Sequence, residues 1–141
     1  MFRYADRQLT LSQKTAIRAF IETLFRKEKK ALEGITYVFC SDEYLLDINR
    51  RFLQHDYYTD IITFGLSAPG EPVEAEIYIS TERVKENAGQ LNLGFKEEML
   101  RVIFHGALHL CGYRDKKKAE IALMREKEDH YLRMYKKEIL R

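Results

Sequence analysis

The chain has 141 residues, 45% hydrophobic and 33% charged, with a formal net charge of +2, the balance of one globular domain with a sizeable core. No apolar stretch is long enough to cross a bilayer, and the start, from Met1 to Asp6, lacks a signal-peptide core; the expected location is the cytoplasm, with no membrane partner. The small charge neither demands nor forbids a nucleic-acid partner, and the two cysteines, Cys40 and Cys111, form no C-x-x-C pair and read as buried free thiols.

A short strand is expected over 2–4. Ser12 can cap a helix reaching about Leu32, with Ile17, Phe20, Ile21, Leu24 and Phe25 spaced by three and four on its apolar side. Lys27 to Lys30 is then a solvated charge run that suits the negative end of the helix dipole, and Gly34 stops the helix. Residues 35–40, β-branched and aromatic, read as a strand. Ser41 and Asp42 can cap a second helix through Tyr44, Leu45, Ile48 and Phe52. Residues 60–64 read as a strand, Pro69, Gly70 and Pro72 as a turn, and the alternating 74–80 as another strand. Thr81 opens a short helix with Val84, Ala88 and Leu91 on one face, ended by Asn92 and Gly94.

The helix expected over 96–111 differs in kind. Its first turn is charged, but from Met99 it is apolar nearly all round, so it belongs at the centre of the domain. The last helix, from about 118 to the end, packs through Ile121, Met124, Tyr131, Tyr135 and Ile139. The sum is an α+β fold. A single domain, 1–141, holds a small mixed sheet of about four strands, a central buried helix and further helices packed around it.

That central helix carries His105 and His109. Residues i and i+4 share one helical face, so the two imidazoles can converge. Gly112, three residues on, can end the helix in the left-handed conformation. The chain can then turn back and bring Asp115 to the same point. Two nitrogens and one carboxylate oxygen leave a tetrahedral zinc ion one open position, the arrangement of a catalytic site. The same donors suit iron(II) and other divalent ions. His55 and His130 are alternative third ligands. A zinc with an open position favours hydrolysis by activating water or polarising an oxyanion.

The spacing His-x-x-x-His-x-x-Gly-x-x-Asp resembles the extended motif of metzincin-like zinc peptidases. There the residue after the first histidine is a glutamate that acts as general base; here it is Gly106. A fuller match lies elsewhere. The run His105-Gly106-Ala107-Leu108-His109-Leu110-Cys111-Gly112-Tyr113 resembles the His-Gly-x-Leu-His-Leu-x-Gly-Tyr signature of the YbeY family. Ile48-Asn49, Asp56 and Thr59-Asp60-Ile61-Ile62-Thr63-Phe64 resemble a second family segment, and Ala75-Glu76-Ile77-Tyr78-Ile79-Ser80 a third. The resemblance implies a zincin-like metal hydrolase that cuts single-stranded RNA. It also implies a part in maturing the 3′ end of small-subunit ribosomal RNA and in ribosome quality control, with precursor rRNA and the ribosomal small subunit as partners.

Three departures modify that expectation. Asp115 stands where the family has a third histidine ligand, and Leu53 stands where it has an arginine that meets substrate phosphate. Arg50, Arg51 and Arg114 are candidate replacements, since guanidinium grips phosphate bidentately. Tyr58 replaces a family proline, and unpaired bases can stack on Tyr57 or Tyr58. No general base and no oligomeric state can be named from the sequence. Two alternatives stand beside the nuclease: a zinc metallopeptidase, and a non-catalytic ribosome assembly factor with a vestigial metal site.

Overall fold

The computed structural model describes residues 1–6 and 13–139. β1 (Phe2–Tyr4) leads into α1 (Lys14–Lys27), β2 (Leu32–Cys40) and α2 (Asp42–Leu53). β3 (Ile61–Gly65) and β4 (Val73–Ser80) follow, then α3 (Thr81–Gln90), α4 (Phe95–Leu110) and α5 (Lys118–Ile139). The four strands form one mixed sheet in the order β1-β2-β4-β3. β1 and β4 run parallel to β2, while β3 is antiparallel to β4, with Ile61 opposite Ile79. The expected α+β architecture is therefore present.

α1 differs from its expected form at the C-terminal end. It stops at Lys27, five residues before Leu32, and β2 already begins at Leu32 and runs through Gly34. The cause is local. Lys29 takes a positive φ of 59°, and Lys30 N–H donates to the Phe25 carbonyl while Lys29 N–H donates to that of Arg26. These two bonds close a Schellman motif without the usual glycine. Ser12, the expected cap, lies outside the described residues. Elsewhere the caps match the sequence: the Ser41 side chain accepts from Tyr44 N–H at the start of α2.

α1, α4 and α5 pack with one face of the sheet in the main core, which includes Phe20, Phe25, Tyr37, Phe39, Ile77, Phe104 and Tyr131. α2 covers a smaller cluster of Cys40, Leu45 and Ile62. Two helical stripes are shorter than expected. Leu91 caps α3 and is exposed, as are Ile121 and Ile139 on α5. The buried positions of α5 are Met124, Glu128, Tyr131, Leu132 and Tyr135.

α4 lies close against the sheet. The buried Tyr37 hydroxyl donates to the Ile103 carbonyl at 3.0 Å. A Cβ added at Gly106 would stand 2.9 Å from Cδ1 of Ile77 and 3.0 Å from Cδ1 of Ile61. Gly106 thus faces the sheet, while His105 and His109 belong to another side of the helix. Gly106→Ala is expected to cost about 1–3 kcal/mol by overpacking. The check is a lower denaturant midpoint at unchanged m value.

Candidate active site

A cleft of about 630 Å³ opens between α4, α5, the end of α2 and the segment leading into β3. Three lining residues, His105, His109 and Asp115, are those expected to hold a metal. The His105 and His109 rings are nearly parallel, 6° apart in plane, with centroids separated by 6.4 Å. Their proximity follows from mounting them one helical turn apart on one helix.

Asp115 reaches the cleft because α4 ends sharply. Gly112 takes a φ of +109°, its N–H donates to the His109 carbonyl, and Tyr113 N–H donates to that of Leu108. This second Schellman turn reverses the chain as the glycine suggested. Glu28, at the end of α1, holds the reversed segment. Its carboxylate accepts from the hydroxyl of Tyr113 at 2.7 Å, from the hydroxyl of Tyr131, and from Lys127 Nζ at 3.5 Å.

Burial pushes the Glu28 carboxyl up, but the two tyrosine hydroxyls and Lys127 outweigh it and hold it below the ordinary glutamate range. A depressed carboxyl gives stability that is present above its unfolded value and lost as pH falls through its folded value. Glu28→Gln is therefore expected to destabilise by about 1–3 kcal/mol at neutral pH, the cost of poorly satisfied buried partners. The deficit should close in acid, as followed by thermal melts across pH.

His105 is held on both nitrogens. Nδ1 shares a 2.7 Å hydrogen bond with Oε2 of Glu128, and Nε2 lies 3.3 Å from Oδ2 of Asp115. Burial opposes a charged imidazole here. The Glu128 hydrogen bond and the charges of Glu128, Asp115 and Asp60 outweigh it, so the His105 pKa is raised. Glu128 is itself buried, and Arg101 Nη1 donates to its Oε1 at 3.1 Å. Arg101 also pairs with Asp129 at 2.7 Å. Arg125, more exposed, approaches Glu128 Oε1 at 3.4 Å.

Two further carboxyls line the cleft. Burial raises Asp60 despite the pull of His105, and raises Glu98 despite Arg101 and Arg125. Among the described residues, the arginines that line the cleft with Asp60, Glu98, Asp115 and Glu128 are Arg101 and Arg125. Such a basin repels a polyanion until a cation enters it.

Among the described residues, no group of three or more His, Cys, Asp and Glu side chains is close enough to enclose a metal ion. The donor chemistry nevertheless fits one. His105 has its Nδ1 engaged by a carboxylate, the arrangement that orients a metal-binding imidazole and leaves Nε2 as ligand. Asp115 already faces that Nε2. His109 is exposed, so packing does not fix its ring.

The remaining candidates separate clearly. Arg50 pairs with Asp56 and Arg51 with Asp47, and neither lines the cleft. Arg114 is exposed and also outside the lining. His55 lines the cleft, whereas His130 is exposed and packs edge-on against Tyr131. α5 instead reaches the site through Glu128 and Arg125. The sequence carried a sign of this: Glu128 falls on the same helical face as Met124, Tyr131 and Tyr135, a charge inside a packing stripe. Arg101 and Glu28 offered no comparable signal.

A statistical profile described as endoribonuclease YbeY matches residues 3–136. A relative from Cytophaga hutchinsonii named endoribonuclease YbeY is 49% identical over 131 residues, covering 93% of this chain and 92% of its own. Another of that name, from Flavobacterium psychrophilum, is 43% identical, with 89% of each chain covered. The solution structure of TM1509 from Thermotoga maritima superposes with a TM-score of 0.69 at 27% identity, over 98% of this chain and 91% of that one. The matched span contains α4, the turn at Gly112 and the α5 carboxylate behind His105, so this chain belongs to the endoribonuclease YbeY family.

Proposed function

We propose that this protein is a metal-dependent endoribonuclease that cuts single-stranded RNA, with precursor small-subunit ribosomal RNA as its substrate in the cytoplasm. His105, His109 and Asp115 hold one divalent ion, zinc being the expected one. The observation that carries the reading is the setting of His105, with Nδ1 on buried Glu128 and Nε2 turned toward Asp115. A bound zinc supplies Lewis acidity toward a phosphoryl oxygen and makes hydroxide available near neutral pH.

The chain's own groups do the rest. Arg101 locks Glu128, and Glu128 fixes the His105 ring. Arg125, with its side chain 57% exposed, is placed to meet a substrate phosphate and offset its charge. Asp60 is the group assigned to proton transfer. It lines the cleft together with His105 and Asp115, within reach of a group bound there.

The peptidase reading meets a geometric obstacle. Its general base would occupy position 106, where a side chain would point at the sheet and have to displace Cδ1 of Ile77 and Ile61 rather than enter the cleft. The test is cleavage of a single-stranded precursor rRNA fragment beside a matched duplex and a peptide panel. The single strand alone should be cut, cutting should stop on chelation, and zinc should restore it. Peptide cleavage with RNA intact would favour the peptidase. Binding to small-subunit particles without any cutting would favour a non-catalytic assembly factor.

A further inference from the structure

We infer that His55 and Tyr57 form a stacking platform for one unpaired base at the lip of the cleft, an inference that rests on the ribonuclease reading above. Both residues line the cleft, and so does Leu53 beside them. Tyr57 is 56% exposed and Leu53 40% exposed. The two rings lie 21° apart in plane, with centroids 5.2 Å apart, and Tyr57 Oη shares a 2.9 Å hydrogen bond with His55 Nδ1. A flat aromatic surface is thus presented to solvent directly beside the acidic floor that holds His105 and Asp115.

The backbone beneath this surface is pinned. Asn49 is buried, its carbonyl accepts from His55 N–H at 3.1 Å, and its side-chain amide donates to the Tyr57 carbonyl at 2.9 Å. Gln54, between helix and platform, takes a positive φ of 56°. A buried amide is therefore spent on holding two exposed rings in a fixed place. Core packing does not require that, because neither ring is in the core. Pre-set aromatics lower the ordering cost of binding.

The chemistry of the lip selects its ligand. It offers π faces and an aliphatic side chain, so it recognises a flat ring rather than a phosphate. Every nucleobase has such a face, but in a duplex both faces are covered by neighbouring base pairs. A platform here takes an unpaired base and refuses a paired one. Tyr58 is not equivalent. Its hydroxyl donates to Glu43, the Arg83 guanidinium sits 5.1 Å over its ring, and it does not line the cleft.

The test uses the zinc-loaded full chain and a short single-stranded RNA with a cleavage-resistant phosphorothioate backbone carrying 2-aminopurine, whose emission is quenched on stacking, with a matched duplex as comparator. Wild type and Tyr57→Phe should bind the single strand and quench it. Tyr57→Ala should bind it about 5- to 150-fold more weakly, the range for one lost base stack, without quenching and with its thermal midpoint unchanged. Duplex affinity should be the same for all three. If Tyr57→Ala binds and quenches like wild type, or Tyr57→Phe loses as much as Tyr57→Ala, the platform is overturned and the nuclease reading stands. If wild type binds no RNA at all, the nuclease reading falls and takes the platform with it.

Discussion

His109→Ala is expected to lower cleavage of single-stranded RNA by roughly 10³-fold or more, because a Lewis acid supplies several kcal/mol of charge stabilisation at a phosphoryl centre. The loss should fall on kcat and further on kcat/KM, because the metal acts both in the transition state and in binding the RNA. Metal content measured by elemental analysis should fall with it. Folding should be little affected, because His109 is exposed and lies outside the core. RNA binding should weaken as well: with no cation among Asp60, Glu98, Asp115 and Glu128, the cleft repels phosphate. A variant that keeps both its metal and its rate would remove His109 from the site.

Glu128→Ala has the second large effect, and it reaches both stability and metal binding. The side chain of Glu128 is 5% exposed and that of Arg101 is 14% exposed. Deleting the carboxylate leaves Arg101 buried with fewer partners, for which breaking a buried pair costs about 3–5 kcal/mol. Asp129 and Glu98 still face Arg101, so the lower end, about 3 kcal/mol, is expected. His105 also loses the acceptor on Nδ1, and removal of such an outer partner lowers metal affinity by roughly 10- to 100-fold. Glu128→Gln separates the two effects. It keeps the shape and a possible hydrogen bond but not the charge.

The pH dependence has a definite sign. The raised pKa of His105 in the metal-free protein means that its contacts with Glu128 and Asp115 stabilise fully below the unfolded histidine value. That contribution is lost as pH rises through the folded value. Glu128→Gln should flatten this limb of the stability profile. An unchanged profile would place the charge on His105 elsewhere.

Residue spacing is most informative where geometry is local. His105, His109 and Gly112 sit within one helical turn and a Schellman turn, so the shared helical face and the chain reversal follow from spacing alone. The strands and α4 were legible for a related reason, since alternation and uniform apolarity are properties of neighbouring residues. The end of α1 was not legible: it is set by Lys29 in a left-handed conformation, which a lysine does not announce. Gly106 shows in the sequence only as the absence of a glutamate, whereas its packing partners are Ile77 and Ile61, on strands far away in sequence.

Charged residues that act through distant partners were hidden in the same way. Arg101 and Glu128 are 27 positions apart, and Glu28 meets Tyr131 across 103. Spacing carries no information at such separations. Composition likewise could not tell a solvated arginine from one lining a cleft. Arg50 and Arg51 pair with nearby aspartates at the surface, while Arg125 enters the site.

The most direct measurement is a pair of anomalous difference maps, collected on either side of the zinc absorption edge from crystals of the zinc-loaded protein. The expected result is one peak bounded by the His105 and His109 imidazoles and the Asp115 carboxylate, with Glu128 still on His105 Nδ1. A peak at other residues, or zinc held with Asp115 turned away and no other protein donor in its place, would contradict it.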